Sequence, residues 1–246
     1  MGAKNTHFVT PNGLDASDKQ GCHQTTAYDL TVMMAQCIKN QVFLDITRKQ
    51  SYSFHDVSGK RTFTCNNHNA LLQQSKDAIS GKTGYTSKAG YCYVGAIKVN
   101  HMTLVIAILA SGWPPHKSYK WSDVHTLIAY ATKNYVWERK LITYDSLPRK
   151  ITVTNGTKGQ ILVNANQLKL EYVRRKTEKL KVIIRVKKQI SAPVKIGDKV
   201  GSIQVVIGNK VIADERIQAA NYSLLKNYWW YLGKILIEFL FPIGKI

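Results

Sequence analysis

The sequence predicts an α+β fold, with an antiparallel sheet and helices first, then a small all-β domain and a C-terminal amphipathic helix. Three observations predict it. Apolar residues recur at helical spacing over about 25–40 and 122–135, and between them lie two long apolar strand runs. From 149 to 220 the pattern alternates with period two between turn residues, and helical spacing disappears. Beyond Asn221 the chain is rich in Leu, Ile, Phe, Trp and Tyr. The expected divisions are 1–146, 147–220 and 221–246. At 246 residues and 44% hydrophobic, there is enough apolar content for a core.

In chain order, residues 1–24 read as loop, with Pro11-Asn12-Gly13 as turn chemistry. His7 and His23 are read as loop residues, because neither has a partner at ligand spacing. Thr25/Thr26 suit an N-cap with Asp29 in the first turn, and Leu30, Met33, Met34, Cys37 and Ile38 carry a helix to about Asn40. Ser58-Gly59 between Ser51–Val57 and Arg61–Thr64 predicts a hairpin. Tyr91–Val99 and Met102–Ala110, joined at Asn100-His101, predict a second hairpin whose nearly continuous hydrophobicity implies burial on both faces. Ser122 is the expected cap of a helix through about Tyr135, with Val124, Leu127, Ile128 and Ala131 on one face. In the β-rich part, turns fall at Asn155-Gly156, Pro193, Gly197-Asp198 and Gly208-Asn209. In the tail, Lys226, Lys234 and Glu238 share about a third of a helical circumference at ~100° per residue. Two readings of the tail stand: an in-plane membrane anchor using Trp229, Trp230 and Lys234, or a helix packed on the β-domain.

The stretch that carries chemistry is Ser80–Val94, centred on Lys82-Thr83-Gly84 and leading into a strand. An ammonium offers fixed positive charge, a hydroxyl can donate to a carboxylate, and glycine admits a ligand close to the backbone. The amide after the glycine, on Tyr85, can point at a developing oxyanion. Gly81, Lys82, Thr83, Gly84, Thr86, Ala89 and Gly90 resemble the Gly-x-Lys-Thr-Gly-x-Thr-x-x-Ala-Gly pattern of D-alanyl-D-alanine carboxypeptidases, the low-molecular-weight penicillin-binding proteins. Here Gly81 stands directly before Lys82, without the intervening residue. Asn67-x-Asn69-x-Leu71-Leu72, Asn5-Thr6-His7-Phe8 with Gly13-Leu14-Asp15, and Thr26-Ala27-x-Asp29 are similar to three further blocks of that family, in the same order. Asn67 and Asn69 read equally well as cleft-bordering residues or as partners of loop backbone groups.

The resemblance implies a partial β-lactamase/transpeptidase-like domain, then the family's small β-domain as a stalk and a membrane-surface helix. Lys82 would then be catalytic with the Tyr85 backbone amide as oxyanion donor. Lys82, Thr83 and Gly84 would bind substrate, without metal or cofactor. The implied partners are the peptidoglycan stem peptide, β-lactams for a full-length protein, and an anionic membrane surface at the outer face of the bacterial cytoplasmic membrane. Lys120 falls near the position where some relatives place a carboxylate-binding arginine; the spacing matches poorly, and Lys120 is read as solvated.

The family's Ser-x-x-Lys nucleophile and Ser-x-Asn motif belong ahead of all these blocks. The one Ser-x-x-Lys in the chain is Ser223–Lys226, on the wrong side of Lys82 and read as coincidence, and no Ser-x-Asn occurs. The expectation is a portion lacking its nucleophile, beginning after the catalytic serine, with Met1 as an internal or misassigned start and no signal peptide in this stretch. Met1-Gly2-x-x-x-Thr6 fits a myristoylation pattern by letter, but the family block accounts for the same residues. Such a portion, lacking strands of its sheet, is expected to be unstable when expressed alone.

The net charge is +20, with +8 over 1–140 and +12 over 141–246. That field favours polyanions, but no zinc-finger, RNP-like or helix-turn-helix pattern accompanies it, so nucleic acid is not the expected partner. Cys22, Cys37, Cys65 and Cys92 lack metal-site spacing and are read as packing thiols, with a disulfide left open. Two functions are carried forward. One is a serine-type carboxypeptidase present as a fragment, and the other is a non-catalytic remnant bound at a membrane or wall surface.

Overall fold

The computed structural model describes residues 2–144 and 147–240. Met1 and residues 241–246, the end of the expected anchor, lie outside the described residues, as do residues 145 and 146, just before the expected boundary at 147. The chain divides into two compact units, Met1–Trp137 and Glu138–Ile246. That division falls ahead of the one read from composition.

In the first unit, β1 (Ser17–Asp18) and β2 (Gly21–Cys22) form a minimal hairpin inside the segment expected to be loop. Helix α1 (Ala27–Cys37) starts where the cap predicts: Thr26 Oγ1 accepts from the Asp29 amide at 3.1 Å. It is followed by α2 (Gln41–Thr47), capped by Asn40. β3 (Ser51–His55) and β4 (Thr62–Asn66) form the expected hairpin, with Gly59 at φ +71° in its turn. A short α3 (Leu71–Gln74) follows the Asn67-x-Asn69 segment. The sheet follows in the order β5 (Ala78–Thr86), β6 (Gly90–Val99), β7 (Met102–Ile108), all antiparallel. Asn100 and His101, with φ of 48° and 63°, make the two-residue turn between β6 and β7.

Both faces of this sheet are covered, which explains its unbroken hydrophobicity. On one face Tyr93, Ile97, Ile106 and Ile108 pack with Leu71 and with Val124 of α4 (Tyr119–Asn134). On the other, Ile79, Val94, Ala96 and Val105 meet Met34 of α1 and Leu44 of α2. Helix α4 begins a turn earlier than expected. Ser122 therefore lies inside its first turn and is not its cap, and the residue at the cap position, Ser118, makes no side-chain capping bond. The described cysteines are free thiols.

β8 (Tyr135–Ile142) continues directly from α4 across the division between the units and pairs with β11 (Leu168–Arg175). In the second unit Glu138 receives Arg174 and the Tyr172 hydroxyl, the latter at 2.7 Å. The Arg174 guanidinium holds the Glu138 carboxyl below its usual range, while burial and Glu138 push the Tyr172 hydroxyl up to about 12. β9 (Lys150–Thr154), β10 (Gln160–Asn164), β12 (Leu180–Val186), β13 (Gln189–Ser191), β14 (Lys199–Ile207) and β15 (Lys210–Ala219) form a six-stranded sheet, ordered β12-β14-β15-β10-β9-β13. Gly208-Asn209 separates β14 from β15 as expected. The core is Ile151, Val153, Ile161, Val194, Val200, Ile203, Ile217 and Ala219.

The tail splits. Residues 221–227 add to the β-domain through short bridges, Val194 with Ser223 and Gly156 with Leu225. Helix α5 (Tyr228–Leu240) follows; none of its described residues is fully buried, and Trp230, Leu232 and Gly233 are half-buried.

Candidate active site

β5 is an outer strand of its sheet, so alternate backbone groups from Ala78 to Thr86 face away from β6. Its first half is buried and its second half, from Lys82, is open. Gly81 is required at the junction. A Cβ there would lie 2.5 Å from Tyr93 Oη and 2.7 Å from Asn69 Nδ2. Its partner across the sheet, Gly95, is equally tight, with a Cβ 2.1 Å from Tyr93 Oη. The two glycines form a bare floor on which the Tyr93 ring lies.

The Tyr93 hydroxyl donates to Asn69 Oδ1 at 3.1 Å, and burial pushes its pKa far up. Asn69 Oδ1 also accepts from the Leu71 amide, and Asn67 Nδ2 donates to the carbonyls of Thr47 and Lys49. Both asparagines satisfy local groups, and Asn69 also links its loop to β6. The remaining blocks converge as well. Asp29 accepts from the Asn5 amide and the Thr6 hydroxyl, each at 2.7 Å. Asp15 accepts from the Thr86 hydroxyl at 3.1 Å. The end of β5 is thus tied to a loop residue 71 positions earlier, while Asp29 at the start of α1 holds the N-terminal segment. His7 and His23 are structural too: His7 Nε2 contacts Asp18 Oδ1 at 2.9 Å, and His23 Nδ1 accepts from the Val9 amide at 3.0 Å.

A cleft of about 890 Å³ opens along β5, with Lys82, Thr83, Gly84 and Tyr85 on its wall. Lys82 Nζ donates to the Thr83 carbonyl at 2.5 Å. A Cβ at Gly84 would meet nothing within 4 Å, so the backbone there is open to a ligand. The Tyr85 ring lies against Tyr91 with centroids 4.6 Å apart.

Lys120 overturns the solvated reading. It is 3% exposed, lines the same cleft and places Nζ 4.7 Å from the Tyr91 ring centre. Nζ donates to the Lys117 carbonyl at 3.2 Å. Desolvation, and to a lesser degree Lys117, lower its pKa. The geometric reason is that α4 starts early, so Lys120 sits in its first turn, beside Trp121 on the sheet. Lys117, Lys120 and Lys82 bring three cations to the cleft, and among the described residues no Asp, Glu or Ser lines it. Sequence reasoning missed Lys117, Tyr91 and Cys92 as lining residues; the Lys-x-x-Lys-Trp spacing over 117–121 was the available signal. Trp229, Trp230 and Lys234 are in the other unit, on α5, where Lys234 pairs with Glu238 at 3.8 Å.

Ser223, in the coincidental Ser-x-x-Lys, is fully buried. Its hydroxyl donates to the Lys158 carbonyl at 2.9 Å and accepts from the Lys158 amide at 3.1 Å. It is committed to structure and unavailable as a nucleophile.

The family model for D-alanyl-D-alanine carboxypeptidase matches residues 1–112, and that for the penicillin-binding protein 5 C-terminal domain matches residues 138–222. The chain belongs to the low-molecular-weight penicillin-binding protein family. The carboxypeptidase DacB2 of Mycobacterium tuberculosis is 39% identical over 109 residues, 44% of this chain and 36% of that protein. DacF of Bacillus subtilis is 24% identical over 222 residues, 89% of this chain and 54% of that protein. The chain thus spans about half the length or less of these curated relatives. Among solved structures, the carboxypeptidase DacD of Francisella tularensis matches with TM-score 0.59 at 22% identity, covering 92% of this chain and 65% of that one. Penicillin-binding protein 5 of Haemophilus influenzae matches with TM-score 0.58 at 23% identity, covering 91% and 62%. These two likenesses speak to the fold.

Proposed function

We propose that this chain carries the Lys-Thr-Gly side of a serine-type D-Ala-D-Ala carboxypeptidase site. The supporting observation is the cleft itself, where an open edge strand bearing Lys82–Tyr85 faces a buried, cationic Lys120 with no lining carboxylate among the described residues. Such a site suits a ligand with an extended peptide backbone and a free carboxylate. The backbone would add to the β5 edge and the carboxylate would meet Thr83 and the lysines. In this reading a serine outside these 246 residues attacks the carbonyl of the penultimate D-alanine. The Tyr85 amide stabilises the oxyanion, Lys82 supplies positive charge, and terminal D-alanine leaves before water hydrolyses the acyl-enzyme. Lys120 takes the part that an arginine plays in some relatives. Helix α5, with Trp229, Trp230 and Lys234, anchors the protein on an anionic membrane surface at the outer face of the cytoplasmic membrane. Among the described residues no helix is long and apolar enough to cross a membrane.

A second reading, a non-catalytic surface-bound chain, is favoured by the lack of any serine among the cleft's described lining residues. Fluorescent penicillin separates the two. The 246-residue chain is expected not to label, while a chain extended upstream through a Ser-x-x-Lys is expected to label covalently and to release D-alanine from a pentapeptide. Labelling of the 246-residue chain would put the nucleophile within it. An extended chain that stays unlabelled would sink the carboxypeptidase reading.

A further inference from the structure

Tertiary structure gathers three segments at the end of the β-domain from which α5 departs. They are the β9–β10 turn, the loop ahead of β14, and residues 221–227. The Thr157 amide donates to the Leu224 carbonyl at 2.8 Å, and the Lys226 amide to the Asn155 carbonyl at 2.9 Å. Val194 and Ser223 exchange both backbone bonds, at 2.9 and 3.0 Å. Ser223 Oγ closes the cluster through Lys158, and a Cβ on Gly156 would lie 2.3 Å from that oxygen. This end is therefore a packed, bonded surface with a fixed geometry.

Its outer side chains are unusual for solvent. Ile196, Tyr222, Leu224 and Leu225 are 67, 48, 58 and 51% exposed. Lys158, Lys195 and Lys226 interleave with them. Lys158 Nζ lies 4.7 Å over the Tyr222 ring, and Lys226 Nζ lies 4.6 Å over the Trp230 ring of α5. The one carboxylate in the three segments, Asp198, is half-buried and accepts from the Lys195 amide at 2.7 Å. Apolar tips ringed by lysines, continuous in sequence with an apolar helix that has no fully buried residue among those described, match the boundary of an anionic bilayer.

We propose that this end of the β-domain is itself a lipid-contacting surface, so that Ile196, Leu224 and Leu225 enter the headgroup layer beside α5. The proposal rests on the anchor reading of α5. Its consequence is that the domain is held at a fixed orientation on the membrane, since two adjoining contacts restrict rotation that a helix alone on a flexible joint would permit.

Peptide-resolved hydrogen exchange on the full chain, with and without vesicles of phosphatidylethanolamine and phosphatidylglycerol, tests it. Added protection is expected in peptides covering 195–198 and 222–226 as well as in α5. Protection confined to 228–240 would overturn the proposal while leaving the anchor intact, and failure to bind the vesicles at all would remove both. In a second arm, Ile196→Ser, Leu224→Ser and Leu225→Ser together are expected to weaken vesicle partitioning roughly tenfold, from the lost apolar contact. Unchanged partitioning of a variant that still melts cooperatively would also overturn it.

Discussion

Gly81 and Gly84 sit three residues apart on one strand and do different work. Adding a methyl at Gly81 forces it into Tyr93 Oη and Asn69 Nδ2, whereas one at Gly84 meets nothing within 4 Å. Gly81→Ala is therefore expected to cost roughly 1–3 kcal/mol through a displaced Tyr93 ring. Gly84→Ala should leave the melting temperature almost unchanged. Thermal melts of the two variants side by side check this, and equal losses would contradict the packing described. The triplet was legible from its residue types. That Gly81 serves packing while Gly84 opens the cleft was not, because the distinction depends on Tyr93, which arrives from the neighbouring strand.

At the scale of elements, the tail shows how one segment can serve two structures. Its composition suggests a single amphipathic unit from Asn221, but residues 221–227 complete the β-domain before α5 starts. Ser223 holds that junction with two bonds to Lys158. Ser223→Ala leaves an amide and a carbonyl without their partner and is expected to cost about 1–3 kcal/mol. Denaturant unfolding reads this directly, and a shift below a few tenths of a kcal/mol would deny Ser223 its role. Local pattern could not show this, since the partner hydroxyl and loop are far apart in sequence. Helix α4 teaches the same lesson. Ser122 has the right chemistry for a cap, but Trp121 and Val124 pack on the sheet and draw the helix start back to Tyr119, carrying Lys120 into the cleft.

At the scale of the molecule, several carboxylates are held below their usual range: Asp29 chiefly by the Thr6 hydroxyl, Asp56 by the Arg61 amide and Glu138 by Arg174. For such groups the unfolded chain takes up protons first. Their stabilisation is present above the ordinary values of 3.8 for Asp and 4.5 for Glu and is lost as pH falls through the lower folded values. Melting temperature should therefore fall steeply below those values, with a shallower slope for Asp29→Asn in the first unit. A slope unchanged by that substitution would remove Asp29 from the account.

By itself the sequence determined the α+β and all-β character, both hairpins with their turns, the helix cap at Thr26 and the Lys-Thr-Gly strand. These depend on residue types at short spacing, where steric preference and periodicity act locally. Only the tertiary structure decided that Lys120 is buried in the cleft, that Asp15 bonds Thr86 of β5 while Asp29 holds Asn5 and Thr6, and that Ser223 is a structural hub. Each of these depends on which distant segments share a packed volume, and no local pattern encodes that.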